Sequence, residues 1–190
     1  MSLELLLKVD ERLTSALAFH SSSRDFFMFL ALQGFTELHQ YQYITESNTK
    51  RNLKKYVIVM YNQILQEYPP ININPIDSLI KKEKLTLASP NSKWLALQAV
   101  WNEYIAWEKN TLNEYGFIGK QLIDDGDVTD YGFVSKIIKD VAGELITISD
   151  MATALNGMEW DYPTIVSIQP EIEQKYIKKI KRLYKDNPPI

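Results

Sequence analysis

The chain reads as an all-α protein, an up-down-down-up four-helix bundle with one long crossover loop and an additional C-terminal helix. Three observations carry this reading. Apolar residues recur in alternating steps of three and four over four long segments, whereas strand-like alternation is scarce. Seven glycines in 190 residues fit long helices better than a turn-rich sandwich or barrel. Four of the eight prolines crowd into residues 68–92, which forbids a regular long helix there and marks one extended connection.

Each element has its own warrant. A first helix is predicted from about Leu3 to Leu32, with Leu6, Val9, Leu13, Ala16, His20, Ser23, Phe27 and Leu30 along its inward stripe. Ser21-Ser22-Ser23 is a candidate break, because serines favour caps over helix interiors. Gln33-Gly34 is the expected turn. The second helix runs from about Thr36 to Gln66; Leu53, Val57, Met60 and Ile64 are its clearest inward positions, and the register extends back through Lys50, Glu46, Tyr43 and His39. The crossover at 68–92 has room for a short helix at 76–84. It is long enough to return the chain along a helix of about 45 Å, so the third helix lies parallel to the second. Asn91 or Ser92 is its expected cap. Its stripe is Trp94, Leu97, Trp101, Tyr104, Glu108, Thr111, Tyr115, Ile118 and Leu122. Asp124-Asp125-Gly126-Asp127 turns the chain into a fourth helix that ends at Asn156-Gly157, with Val134, Ile137, Val141, Glu144, Ile148, Met151 and Leu155 inward. Residues 159–169 read as irregular, and Pro170 as the start of the C-terminal helix, 170–185.

Composition bounds the function. The length supports one domain over 1–190, with the bundle at 3–156. The absence of cysteine removes disulfides, thiolate metal sites and cysteine nucleophiles. A net charge of −3 argues against nucleic acid as a partner. The longest strongly apolar run, Phe26 to Leu32, is too short to span a bilayer, and no basic segment precedes the apolar N-terminus. The expectation is a cytoplasmic protein with no membrane partner. Phosphate loops, nucleophile elbows and zinc motifs are absent from the sequence.

The informative residues are those that break the stripes. If the chain folds back at Gly126, positions whose numbers add to about 252 face each other, as 108 and 144 do. Two carboxylates entering one core at one level are costly unless they bind something or share a proton. A fold-back at residue 33 likewise sets His20 opposite Glu46. His20, Glu46, Glu108 and Glu144 are therefore the candidate metal ligands, each interrupting a different helix, and Asp140 is a further candidate beside Glu144. Hard oxygen donors suit iron, manganese or magnesium. A rotated fourth helix, with Ile138, Val141, Leu145, Ile148 and Ala152 inward, would instead leave Glu144 beside the core. His39 is the weaker histidine, since Glu37 and His39 fall on different helix faces. Thr45, Thr49, Asn52 and Thr111 fall near the same level.

These residues resemble the ferritin-like superfamily. Ala106-Trp107-Glu108-Lys109-Asn110-Thr111 is similar to the third-helix region whose glutamate bridges two irons, and Lys139-Asp140-Val141-Ala142-Gly143-Glu144 to the fourth-helix region that supplies a further carboxylate. The resemblance covers residues 3–156. It departs from the family at the second helix, where Glu46-Ser47-Asn48-Thr49 or Thr49-Lys50-Arg51-Asn52 stands in place of Glu-x-x-His. The resemblance thus implies a non-standard, carboxylate-rich site for iron or manganese, with a homo-oligomer as the expected assembly. Two alternatives stand beside it. One is a metal-free scaffold that associates through exposed aromatics such as Trp160 or Tyr162. The other is an anionic-partner or nucleic-acid binder that uses Lys50, Arg51, Lys54 and Lys55 together with the lysines of 175–185.

Overall fold

The structure is a computed structural model that describes residues 2–65 and 90–186. Five helices follow in order: α1 (Ser2–Phe29), α2 (Gln33–Tyr61), α3 (Pro90–Asp124), α4 (Val128–Gly157) and α5 (Tyr162–Asp186). Most of the predicted crossover, including the short helix at 76–84, lies outside the described residues, as does the side chain of Trp94.

Cross-helix partners set the directions. His20 meets His39, and Thr14 accepts from Lys50 on α2, so α1 and α2 are antiparallel. The Trp101 indole donates to the Ile148 carbonyl at 3.2 Å and Tyr104 reaches Glu144, which makes α3 and α4 antiparallel. Phe27 packs on Trp101 and Phe19 on Trp107, so α3 also opposes α1 and runs parallel to α2. The up-down-down-up arrangement follows. Every described residue of the predicted α1 and α3 stripes is buried, His20 and Glu108 included.

Four expectations are corrected. The first turn falls at Leu30–Leu32, where Ala31 takes a positive φ of 57°, and not at Gln33-Gly34. Gly34 sits inside α2 for a different reason: a Cβ there would lie 2.7 Å from the Gln169 carbonyl oxygen and 2.8 Å from the Ile172 Cβ. The serine run does not break α1, because the helix is held by packing and Ser22 turns its hydroxyl back to the Phe19 carbonyl. Helix α2 stops at Tyr61, capped by Asn62 in the left-handed region, which leaves Met60 and Ile64 exposed. Helix α5 starts at Tyr162, well before Pro170. Asp161 accepts the Thr164 N–H at 3.0 Å, and Pro170 is absorbed inside the helix.

Tertiary contacts explain the early start of α5. The Tyr162 hydroxyl donates to the Leu30 carbonyl at 2.6 Å. Gln169 accepts the Phe35 N–H at 3.1 Å, satisfying a donor in the first turn of α2 that the helix cannot pair itself. Trp160 is buried and bonds Asn156, so neither aromatic is the free contact surface expected for them. Helix α5 lies along α2, with Tyr176 against Tyr41.

The apolar interior forms two clusters. The one nearer the α1–α2 turn is aromatic, built on Phe19, Phe27, Phe35, Trp101, Tyr104 and Tyr176. The one at the Gly126 end is mainly aliphatic, built on Leu6, Val9, Leu13, Leu53, Leu122 and Val134. On all four bundle helices the change from one cluster to the other falls at the same level. Buried polar residues occupy it: His20, His39, Gln42, Glu46, Glu108, Thr111 and Glu144.

Candidate metal centre

His20 on α1, Glu108 on α3 and Glu144 on α4 converge at this polar level. One ligand atom from each lies within 4.8 Å of the others. His20 Nε2 stands 3.8 Å from Glu108 Oε1, and both side chains are buried. Donor atoms on opposite sides of an ion bound at 2.0–2.2 Å are about 4.2 Å apart, so rotation of a carboxylate by less than 1 Å closes the set.

The two histidines form a pair that the sequence reading did not anticipate. His20 Nδ1 and His39 Nδ1 are 3.1 Å apart, so one donates and the other accepts. His39 stacks on Phe27 at 5.2 Å between ring centroids and meets Tyr104 at 4.7 Å. Burial lowers His20 to about 3. It also holds His39 well below its ordinary value, with the neighbouring His20 adding to the effect. Both rings are therefore neutral at physiological pH. Each leaves its Nε2 buried with no hydrogen-bond partner. With His20 as the donor of that pair, its Nε2 carries a lone pair facing Glu108, which is what a metal ligand requires before the ion arrives.

The carboxylates are in the opposite condition. Burial pushes Glu108 up to about 8, Glu46 adds repulsion, and Arg12 partly offsets both. Burial likewise raises Glu144 well above the ordinary range, aided by Glu108 and Glu46 and opposed by the Tyr104 hydroxyl and Lys179. Tyr104 donates to Glu144 Oε1. On α4, Val134, Ile137, Val141, Ile148, Ala152 and Leu155 are buried with Glu144, whereas Ile138, Leu145 and Met151 are partly buried, so Glu144 lies on the inward face.

Glu46 is placed apart from this group. With the turn at Leu30–Leu32 instead of residue 33, His20 meets His39 on α2, and Glu46 falls farther along the bundle. It still interacts with Glu108 and Glu144 and is raised to about 7 by burial and by Asp140. Glu46, Asp140 and Glu144 line a cavity of about 270 Å³ between α2, α4 and α5, together with Thr45, Thr49, Tyr176 and Lys179. Thr49, where the family motif has its histidine, spends its hydroxyl on the Thr45 carbonyl at 3.1 Å. Thr111 accepts from Arg12 and does not join the ligand group, and Asn52 is exposed. The basic patches are partly occupied within the fold: Lys50 pairs with Asp10 and Thr14, and Lys179 lies over the rings of Tyr41 and Tyr176.

Among the described residues no helix is long and apolar enough to cross a membrane. No protein-family model matches the sequence, and no curated protein matches it. Solved structures do match. A humanized archaeal ferritin aligns at a TM-score of 0.71 and 15% identity, over 90% of this chain and 94% of that one. An open-pore ferritin from the archaeon Archaeoglobus fulgidus aligns at 0.69 and 14%, with the same coverage. A form of the Archaeoglobus fulgidus ferritin engineered to be closed aligns at 0.67 and 13%, over 91% and 96%. With its two antiparallel helix pairs and additional C-terminal helix, the chain has the ferritin-like fold.

Proposed function

We propose that the bundle binds a divalent transition-metal ion, iron or manganese, through His20, Glu108 and Glu144, with Glu46 as an adjoining carboxylate. One observation supports this above the rest. A neutral imidazole nitrogen without a partner and two carboxylates come from three helices to within 4.8 Å, in a layer that apolar side chains would otherwise fill. Keeping several ionisable groups dry costs several kcal/mol each unless they are neutralised or bound. The donor set of one nitrogen and several hard oxygens fits ferrous iron and manganese, and the ferritin fold of the structural neighbours makes iron the first ion to try.

The chain's own residues divide the work. His20 presents Nε2, and for that its proton must sit on Nδ1, donated to His39. Glu108 and Glu144 give up their protons as the ion enters, so binding releases protons and strengthens with rising pH. Tyr104 orients Glu144. A bound ferrous ion would supply one-electron chemistry toward oxygen or peroxide; a manganous ion held by the same groups would stabilise the bundle.

Thermal unfolding with and without anaerobic ferrous iron, with manganese and with chelator tests the reading. Saturating an ion at about 100 times its Kd raises stability by about 2.7 kcal/mol, or roughly 5–10 °C for a chain of this size. Glu108→Ala and Glu144→Ala would abolish that rise. An unchanged curve in every metal, with the alanine variants at least as stable as the parent, would sink it. The protein would then act as a metal-free ferritin-like scaffold. Its exposed Val59, Met60, Ile64, Ile123 and Val128 gather near the Gly126 end of the bundle, the surface that a homo-oligomer would cover.

A further inference from the structure

The cavity between α2, α4 and α5 touches the ligand group at a single residue. Glu144 lines the cavity and also belongs to the cluster with His20 and Glu108. Asp140 is one turn before Glu144 on the same face of α4 and is exposed at the mouth. Glu46 faces it from α2. The remaining polar lining consists of hydroxyls and an amide, among them Thr45, Thr49 and Gln42, all of them neutral. Among the described residues the only cationic group in the lining is Lys179, which α5 holds over Tyr41 and Tyr176 at about 5 Å. A volume of about 270 Å³ admits a hydrated ion with several of its waters. Acidic residues alone would not make this a route. Its inner end, however, is the group containing the fully buried, unpartnered His20 Nε2.

Building on the metal reading above, we propose that divalent cations reach the core directly through this opening in the bundle wall. Asp140 draws them in, Glu46 passes them to Glu144, and Lys179 on α5 opposes their entry. Asp140 and Lys179 are positioning residues: they act on the rate of entry and do not hold the ion in the core. A divalent ion passing about 6 Å from one unit charge in water is enriched or depleted about tenfold. Asp140 acts on the path and not at its end, so its entry and exit rates change together and the equilibrium constant stays nearly constant; Lys179 also reaches Glu144, so its removal strengthens binding as well as speeding entry. Helix α5 is thereby more than a brace, since among the described residues it carries the positive charge that the route must pass.

Stopped-flow mixing of the metal-free protein with cobalt(II) chloride alone, followed by the visible absorption of the bound ion, tests this. At low ionic strength Asp140→Asn should slow uptake by about tenfold and Lys179→Met should speed it by a similar factor. Asp140→Asn should keep the parent Kd within about twofold, Lys179→Met should tighten it, and both rate effects should shrink toward none in 1 M salt. Both side chains lie at the surface or partly exposed, so folding is expected to survive, and circular dichroism checks it. Parent-like uptake rates in both variants, with normal cobalt binding, would overturn the route while leaving the metal site standing. A tenfold loss of affinity in Asp140→Asn without a change in uptake rate would make Asp140 a ligand and also overturn the proposal. A parent protein that binds no cobalt would overturn the site and the route together.

Discussion

Glu108→Gln is the perturbation that most directly tests the electrostatic account of the core. Glu108 titrates near 8 in the folded protein against an ordinary value of 4.5. An acid whose folded value is raised keeps its proton in the native state while the unfolded chain loses it, so stability falls as pH rises from about 4.5 to about 8. The loss amounts to about 2 kcal/mol at pH 6 and about 4 kcal/mol at pH 8, from the ratio of the two ionisation terms at 1.36 kcal/mol per unit. Glutamine keeps the shape and cannot ionise in either state, so the variant escapes that loss. Its stability relative to the metal-free parent should therefore grow by about 2 kcal/mol between pH 6 and pH 8. For a chain of this size that corresponds to roughly 4–8 °C of divergence in Tm. Any constant effect of the amide on packing or hydrogen bonding cancels in the comparison. Removing the charge also eases Glu144, which Glu108 raises, and this acts in the same direction. Circular dichroism melts in chelator at pH 6, 7 and 8 give the answer. Parallel Tm curves for parent and variant would refute the reasoning, because Glu108 would then titrate as an ordinary surface carboxylate.

Two further outcomes are expected. His39→Leu removes the acceptor for His20 Nδ1–H and should weaken cobalt binding by about 10–100-fold, while His39→Gln, whose amide oxygen can accept, should recover most of it; equal loss in both variants would show that His39 acts only by packing. Gly34→Ala should lower stability by about 1–3 kcal/mol despite the higher helix propensity of alanine, because the new methyl meets the Gln169 carbonyl at 2.7 Å and must push α5 away. A melting temperature at or above the parent's would show that α5 yields without cost.

The sequence by itself determined the helical class, the α1 and α3 stripes and the levels at which polar residues interrupt them. These are properties of a 3.6-residue period, and His20, Glu108 and Glu144 were legible because each sits on a stripe that is otherwise apolar. Only the tertiary structure decided which of those residues meet. The sequence placed the first turn at Gly34, since glycine ordinarily marks a turn. In the fold that glycine is needed where α5 presses on α2, and Ala31 makes the turn instead. That displacement of the turn brings His39 to His20 and carries Glu46 away toward the cavity, so the histidine pair could not be read from the chain alone. Helix α5 was hidden for a related reason. Pro170 reads locally as a helix start, whereas the bonds from Tyr162 to Leu30 and from Phe35 to Gln169 hold eight earlier residues in the same helix. Period and composition act within a few residues of one another. The meeting of two side chains from different helices depends on where a turn falls, and that is settled by contacts with a part of the chain more than a hundred residues away.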